Sequence, residues 1–283
     1  MASQRDIRRR ITAARNIKQI TRAMQFVAAS KLRRAQESTL AARPYSEKID
    51  EVLADLAAVL GGEDHPLLKE PTEGKRLLVL VTTDRGLAGP LNTNTIRFVS
   101  REITEHKGDL SVISVGRKGR DAMRRARVPI DAHFAGFGDK PTFADVLPLA
   151  RLISDDFLAG KYARIEIVYS RFISTLSQKP VIDQILPIEP TEDTEGIPGN
   201  QFIFEPSPAA VLQQLLPRYV ATRLFQAVLE AKASEESSRM VAMKNATENA
   251  EELIDDLTLA YNKVRQSNIT REMIEIATGA RAH

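Results

Sequence analysis

Apolar residues recur at steps of three and four at both ends of the chain. Near the start Ile7, Ile11, Ala14, Ile17, Thr21, Met24, Ala28, Leu32 and Ala35 form one narrow stripe, as on an amphipathic helix with a single buried seam. Toward the end Met240, Met243, Ala246, Ala250, Leu253, Leu257, Ala260 and Val264 repeat the alternation, the pattern of a coiled coil. Many seam positions are Ala, Thr or Met, so two backbones can approach closely while thioethers fill irregular gaps. From Met1 to Leu60 the one breaker is Pro44, and from Arg218 to Thr278 there is no Gly or Pro. At about 1.5 Å per residue the second run makes a rod of roughly 90 Å, longer than a compact domain is wide. The spacing therefore predicts a long antiparallel coiled coil of the N- and C-terminal helices that projects from the rest. Pro217 reads as the first-turn proline of the long helix, with a kink there.

Between the rods the pattern changes to short apolar runs alternating with helical ones. Strands are predicted at Leu77–Thr82, Leu110–Val115, Ile130–Phe134, Arg164–Tyr169 and Val181–Leu186, with a further one at Phe202–Phe204. Helices are predicted near Leu91–His106, Lys118–Arg127 and Phe143–Leu158. The β-α-β-α-β-α-β order, with Leu77–Val81 apolar on both faces, predicts a mostly parallel sheet covered on both sides, its last strands pairing antiparallel. Glu189–Asn200 reads as a surface linker. The fold class is thus α/β: a central Rossmann-like domain at 61–208, with coiled-coil helices at 1–60 and 209–283.

Composition narrows the chemistry. The 283 residues contain no Cys, so disulfides, thiolate zinc, iron–sulfur clusters and a cysteine nucleophile are excluded. With 40 Lys+Arg against 37 Asp+Glu the formal net charge is +3, too balanced for whole-chain attraction to nucleic acid or an anionic membrane. The start lacks the apolar core of a secretory signal and no run of about 18 apolar residues occurs, so the reading is of a protein neither exported nor membrane-spanning. Charge is uneven locally. Arg5, Arg8, Arg9, Arg10, Arg15, Lys18, Arg22, Lys31, Arg33 and Arg34 face only Asp6 and Glu37 before Leu40. A run this one-sided repels itself and implies an acidic partner or a phosphate backbone, against the plainer reading of a solvated helix face.

Two turns resemble phosphate sites. Thr82-Thr83-Asp84-Arg85-Gly86-Leu87-Ala88-Gly89-Pro90-Leu91-Asn92 joins a strand to a helix, but its glycine spacing fits neither a dinucleotide fingerprint nor a P-loop, which favours a structural or protein-contact turn. Val115-Gly116-Arg117-Lys118-Gly119-Arg120-Asp121 is basic yet lacks aromatics to stack bases, so a solvated basic face is the stronger reading. His65, His106, His133 and His283 have no metal-ligand spacing. The carboxylate pairs Glu235-Glu236, Glu251-Glu252 and Asp255-Asp256 read as outer-face charges on the long helix. Two rival functions stand at this point: a nucleic-acid-binding coiled coil that uses the basic helix, and an enzyme acting through the Asp84–Asn92 turn.

The opening Asp6-Ile7-Arg8-Arg9-Arg10-Ile11, the run Ala28-Ala29-Ser30-Lys31-Leu32-Arg33-Arg34-Ala35-Gln36, and the ending Ala233–Thr247 and Tyr261–Thr270 resemble the γ subunit of F-type ATP synthases. Asp84-Arg85-Gly86-Leu87 matches that family's loop in the same place. The resemblance covers essentially the whole chain.

It implies a non-catalytic central-stalk rotor with no cofactor. The coiled coil would enter a hexamer of α and β subunits, with the α/β domain on the ε subunit and the membrane c-ring. Its place would be peripheral, on the cytoplasmic side of the cell inner membrane. Carried over position by position, Met24 and Arg239 lie where the two helices meet a β subunit's acidic lever loop. Arg85 matches another position facing that loop. Arg265 and Gln266 match a pair engaging a β catch loop, with Thr270, Glu272 and Glu275 in the upper bearing. Ala88 and Pro90 depart from the family's usual Cys and Gly in the turn. The absence of the chloroplast regulatory cysteines points to a bacterial source.

Overall fold

The computed structural model describes residues 3–60, 65–69, 71, 73–105, 108–135, 137–189 and 202–279. The chain packs as two units: one holds the described residues of Met1–Ala29 and Arg239–His283, the other is Ser30–Ser238. The two long helices, α1 at Gln4–Leu60 and α5 at Pro208–Gly279, each contribute to both units.

In the smaller unit the helices run antiparallel, since Lys18 meets Glu251 and, one turn later on α1, Thr21 meets Thr247. On α1 the buried or half-buried positions include Ile7, Ile11, Ala14, Lys18, Thr21, Gln25 and Ala28, with Met24 beside them. On α5 they include Met243, Thr247, Ala250, Ile254, Leu257, Tyr261, Val264 and Asn268. Both series step strictly by four and three, the 3.5-residue period that keeps one seam facing its partner in a left-handed supercoil.

Two expected seam residues shift. Ile17 is 53% exposed and Leu253 50% exposed, while the neighbours Lys18 and Ile254 take the seam positions; Gln25 joins Met24 in the same way. Phase outranks hydrophobicity here: a residue one step off the repeat turns about 100° away from the partner, however apolar it is. Lys18 is tolerated because its methylene stem lies in the seam and its Nζ reaches the Glu251 carboxylate at 2.6 Å.

The larger unit is a three-layer α/β domain. Its sheet has the order β3-β2-β1-β4-β5, built from β1 Lys75–Val81, β2 Leu110–Val115, β3 Ile130–Phe134, β4 Tyr162–Ser174 and β5 Ser177–Leu186. The first four strands pair in parallel and β4–β5 is an antiparallel hairpin. The helices α2 Leu91–Glu105, α3 Arg117–Arg125 and α4 Phe143–Leu158 supply the crossovers. β1 is apolar on both faces because both are covered. Leu77 and Val79 pack with Leu53 and Leu56 of α1, Ile153 of α4 and Val220 and Leu224 of α5. Leu78 and Leu80 pack instead with Val99 of α2 and Met123 of α3.

Two expectations need correcting. Phe202–Phe204 forms no strand: Ile203 is 93% exposed, and the Phe202 ring lies 6.3 Å from that of Phe204 with Lys48 above it. Prolines at 206 and 208, which lack an N–H for a ladder, follow at once. Pro217 is not at a helix start either. α5 begins at Pro208, where the Ser207 hydroxyl accepts the Ala210 N–H, and Pro217 lies inside the helix. Glu189–Asn200 falls almost wholly outside the described residues.

The middle of α5 is enclosed on nearly every side, from Tyr219 to Ser238. Small polar residues let the β4–β5 hairpin close onto it. Ser237 donates to the Thr175 carbonyl at 2.7 Å, and Ser238 donates to Gln178 Oε1 at 3.0 Å. Glu236, expected on the outer face, is 1% exposed and stands 3.4 Å from Lys232.

The seam yields two expected outcomes. Because the chain has no native cysteine, Thr21→Cys with Thr247→Cys should form a disulfide readily under mild oxidation, whereas Thr21→Cys with Ile254→Cys, one heptad out of register, should not. Equal yields in the two pairs would refute the register. The Lys18 ammonium also holds the Glu251 carboxyl below its ordinary value. That pair adds stability above the unfolded carboxyl value of about 4.5 and loses it as pH falls toward the lowered folded value. Lys18→Met should remove this acid-side dependence and return the Glu251 titration, followed by NMR, to the usual range.

Candidate partner-contact surface

At the carboxyl end of β1, where strand order reverses between β2 and β4, an α/β sheet commonly holds a ligand. Here the polar groups are committed to one another. The Asn92 Oδ1 accepts the Thr83 N–H at 3.2 Å, the Asn92 Nδ2 donates to Thr83 Oγ1 at 2.8 Å, and Thr83 Oγ1 donates to the Arg85 carbonyl. Thr95 and Ser170 hydroxyls meet at 2.8 Å just behind.

The second phosphate-like turn is spent likewise. The first amides of α3 donate within the chain: Arg117 N–H to Asp84 Oδ1 at 3.0 Å, Lys118 N–H to the Thr83 carbonyl at 3.1 Å, and Gly119 N–H to Thr82 Oγ1 at 2.8 Å. Gly116 is required by this contact, because a Cβ there would lie 2.1 Å from the Thr82 carbonyl oxygen. The amides that open α3 are thus taken by acceptors within the chain rather than left for a phosphate.

The same bonds make the Asp84–Pro90 loop a stiff mount. Arg85, Gly86 and Leu87 stand out as an exposed tip, while Ala88 behind them is 2% exposed. Arg85 contributes to lowering the Asp139 carboxyl, whose main cause is its bond to Lys31 at 2.7 Å. Asp139 also lies 3.8 Å from Lys232. Within the larger unit one carboxylate thus sits among cations of α1, of α5 and of the loop.

The other contact candidates lie in the smaller unit. Met24 and Arg239 are both half-buried. Counted from the Thr21–Thr247 contact, Met24 is level with Lys244, and Arg239 lies about 7 Å further along. The structure therefore brings these two into one neighbourhood. By the same register α1 begins opposite Val264, so the final turns of α5 have no α1 partner. Arg265, Gln266, Thr270 and Glu272 are all exposed there. Arg265 and Glu272, seven residues apart, share a face, and Gln266 and Thr270 share the adjacent one. Between them Ile269, Met273 and Ile276 are 48%, 59% and 72% exposed, an apolar run that the stripe-based reading did not single out. The Glu275 side chain lies outside the described residues.

The basic α1 finds part of its acidic partner in its own chain. α5 sets Glu248, Glu251, Glu252, Asp255 and Asp256 along the antiparallel stretch, and Lys18 pairs with Glu251. Arg5, Arg8 and Arg15 form no ion pair among the described residues. Of the histidines, His65 Nδ1 accepts the Leu67 N–H, capping the turn Pro66–Leu68, and burial lowers its pKa; His133 Nδ1 lies 3.1 Å from the Ser114 carbonyl. His106 and His283 lie outside the described residues. Among the described residues no acidic or histidine group is arranged to hold a metal, and no helix is long and apolar enough to cross a membrane.

Comparison with known proteins places this architecture. A family model described as ATP synthase matches residues 3–282. An ATP synthase gamma chain of Dehalococcoides mccartyi is 50% identical over 284 residues, covering 100% of this chain and 99% of its own. One from Roseiflexus castenholzii is 47% identical with the same coverage. Among solved structures, a chain of the Euglena gracilis mitochondrial ATP synthase OSCP/F1/c-ring assembly aligns with TM-score 0.69 at 21% identity, covering 99% of this chain and 94% of that one. That likeness concerns the fold. The nucleic-acid reading of the basic helix finds no support, since α5 answers part of its charge and the relatives are gamma chains. The chain belongs to the ATP synthase family and, within it, to the gamma chains, the non-catalytic central-stalk rotor subunits of ATP synthase.

Proposed function

We propose that this rotor transmits rotation between a membrane c-ring and a hexamer of α and β subunits, with an ε subunit beside its α/β domain, and so couples ion flow to ATP synthesis. Its contacts with the β subunits are made by Met24 and Arg239 near the base of the paired helices, by Arg85 on the loop, and by Arg265, Gln266, Thr270, Glu272 and Glu275 on the last turns of α5. The complex lies on the cytoplasmic side of the cell inner membrane, the rotor attached peripherally. The observation that carries the reading is the end of α5: a single helix that sets an apolar run between hydrogen-bonding residues in the open. An apolar surface of this kind needs a partner to cover it.

The mechanism is a bias on equilibria. A shaft that is not threefold symmetric presents a different face to each catalytic site, and each site settles in the conformation that best fits the face it meets. Moving one site from 1:99 to 99:1 between two conformations takes about 5.5 kcal/mol of differential contact energy. An exposed ion pair supplies about 0–1 kcal/mol. No single arginine therefore drives the cycle, and the contacts must act together along the axle.

Two outcomes test this. Co-expressed with its own α and β subunits, the chain should co-purify in a complex whose ATPase activity depends on it; activity and assembly indifferent to its presence would defeat the reading. Met24→Lys should place a further cation in a half-buried position of the helix pair, and so impair coupling more than assembly. ATP-driven proton pumping should fall well below the level that the remaining ATPase rate supports. Unchanged pumping would remove Met24 from the contact set.

A further inference from the structure

Helices α3 and α4 end in the same way. In each, three amides fold back onto the last turn: those of Ala126, Arg127 and Val128 donate to the carbonyls of Ala122, Arg124 and Met123, and those of Ala159, Gly160 and Lys161 donate to the carbonyls of Asp155, Phe157 and Asp156. Such a turn needs one left-handed residue, usually glycine. α4 supplies Gly160 at φ +73, whereas α3 supplies Arg127 at φ +56. A side chain in that region is strained, and Arg127 gains no burial in return, since it is exposed. The fold would therefore be relaxed by glycine at 127.

Arg127 belongs to a cluster. Arg124 and Arg125 on the last turn of α3, and Arg101 near the end of the adjacent α2, are exposed too, and none of the four forms an ion pair among the described residues. Nearby carboxylates are engaged elsewhere: Asp121 by Arg120 at 2.8 Å, Glu102 by Arg76 at 3.5 Å and Asp109 by Lys75 at 3.9 Å. Glu105 alone at the end of α2 opposes them. The negative end of a helix dipole favours a basic residue in the last turn, but it does not explain one held in a conformation that its side chain disfavours. Strain retained at an exposed position is characteristic of a site that acts on something outside the chain. The run Arg124-Arg125-Ala126-Arg127 has no aromatic or large apolar residue to anchor a protein partner or to stack a base. It is suited to a charged surface.

The place of the cluster in the sheet selects that surface. Crossover helices run back against their strands, so α2 and α3 end at the amino edge of the sheet, opposite the Arg85 loop, and they cover the face turned away from α1 and α5. Under the rotor reading, on which the inference rests, that loop faces the catalytic ring and the amino edge faces the membrane. We propose that Arg101, Arg124, Arg125 and Arg127 bind the anionic phospholipid headgroups of the bilayer. Within a Debye length of about 10 Å each basic residue adds roughly fivefold to the partition onto such a surface. A fluid, laterally uniform charge also suits a part that turns: it draws the domain toward the membrane without a fixed partner to hold it at one angle.

Vesicles test this with the chain in complex with its α and β subunits, where the ring covers the basic part of α1. At about 0.1 M salt the complex should sediment with vesicles of phosphatidylcholine and phosphatidylglycerol but not with phosphatidylcholine alone, and less as salt rises. Arg124→Gln with Arg125→Gln and Arg127→Gln should lower the partition about 100-fold. Lys140→Gln with Arg151→Gln and Lys179→Gln, an equal loss of charge at exposed positions elsewhere in the larger unit, should lower it far less. No binding to the anionic vesicles, or equal losses in the two triple variants, would overturn the proposal. Displacement by millimolar inorganic phosphate at constant ionic strength would overturn it too, marking a pocket for a small anion instead. Arg127→Gly should leave the melting temperature of the full-length chain unchanged or raised and yet lower the partition about fivefold; a marked drop in melting temperature would give the residue a structural role instead. In the membrane-bound enzyme Arg127→Cys bearing a photoreactive maleimide, in a chain with no native cysteine, should label phospholipid, and adducts with protein subunits alone would refute the lipid assignment. Failure of the rotor reading is separate: ATPase activity of the wild-type complex would then not depend on the chain at all.

Discussion

The structure depends on one constraint, the unbroken four-three stepping of the buried face of α1. It runs from Ile7 through Ala28 in the smaller unit, and the same stepping continues at Leu32, Ala35, Thr39, Ala42, Ser46, Ile49, Leu53 and Leu56 in the larger one. One helix face therefore serves two kinds of neighbour, a single helix first and a sheet with its helices afterwards. Composition changes with the neighbour while the phase does not. Against α5 alone the seam admits Lys18, Thr21 and Gln25; near the sheet it ends in Leu53 and Leu56, 2% and 0% exposed. A two-helix seam leaves the flank of every side chain near water, so a polar tip can reach solvent or a partner. A position closed from all sides penalises an unpaired polar group, and Asp55, 3% exposed with both carboxylate oxygens unbonded among the described residues, bears that cost beside Leu53 and Leu56.

This explains what could be read from residues and what could not. Leu110–Val115 and Phe143–Leu158 fall where the apolar pattern puts them because each fills a covered layer and its pattern is local, and the half-exposed edge strand Ile130–Phe134 falls there too. Ile17 and Leu253 misled the seam because hydrophobicity ranks residues one at a time, whereas a supercoil selects a period. The Phe202–Phe204 segment looks like a strand for a related reason: aromatic and aliphatic residues alternate in it, yet the aliphatic one is left uncovered, Ile203 being 93% exposed. Most of the candidate site was illegible for another cause. The bonds that stiffen the Arg85 loop join residues 9 and 33 positions apart, and no local pattern announces them. The contact residues themselves came from likeness to a family, and the exposed run Ile269, Met273 and Ile276 was hidden by its resemblance to more seam.

Polar groups in the larger unit follow an economy different from that of an active site. Thr82, Thr83, Asp84 and Asn92 stand at the usual ligand position of such a sheet, yet each is bound to a neighbour in the chain. Ser237 and Ser238, which in isolation suggest hydroxyl chemistry, fasten a hairpin to α5. A catalytic constellation keeps donors and acceptors directed at a space where a reacting atom can sit. Here they are directed at the backbone of adjacent elements, and what they produce is stiffness.

Stiffness is what a rotor requires of its own residues, because the energy it delivers arises in its partners' contacts. A compliant mount would take up in bending the few kcal/mol that must reach a catalytic site to change its preferred conformation. The Asp84–Pro90 loop and the α1–α5 pair solve that problem at two scales. The loop uses short internal hydrogen bonds at its base and leaves its tip exposed. The helix pair uses a register fixed by Lys18–Glu251 and Thr21–Thr247, polar contacts that cost stability relative to Leu but disfavour a slip of one heptad. A slipped axle would still be folded and helical, yet the heights of Met24 and Arg239 relative to each other would change by about 10 Å. The polar layers hold the geometry that the apolar seam alone leaves degenerate.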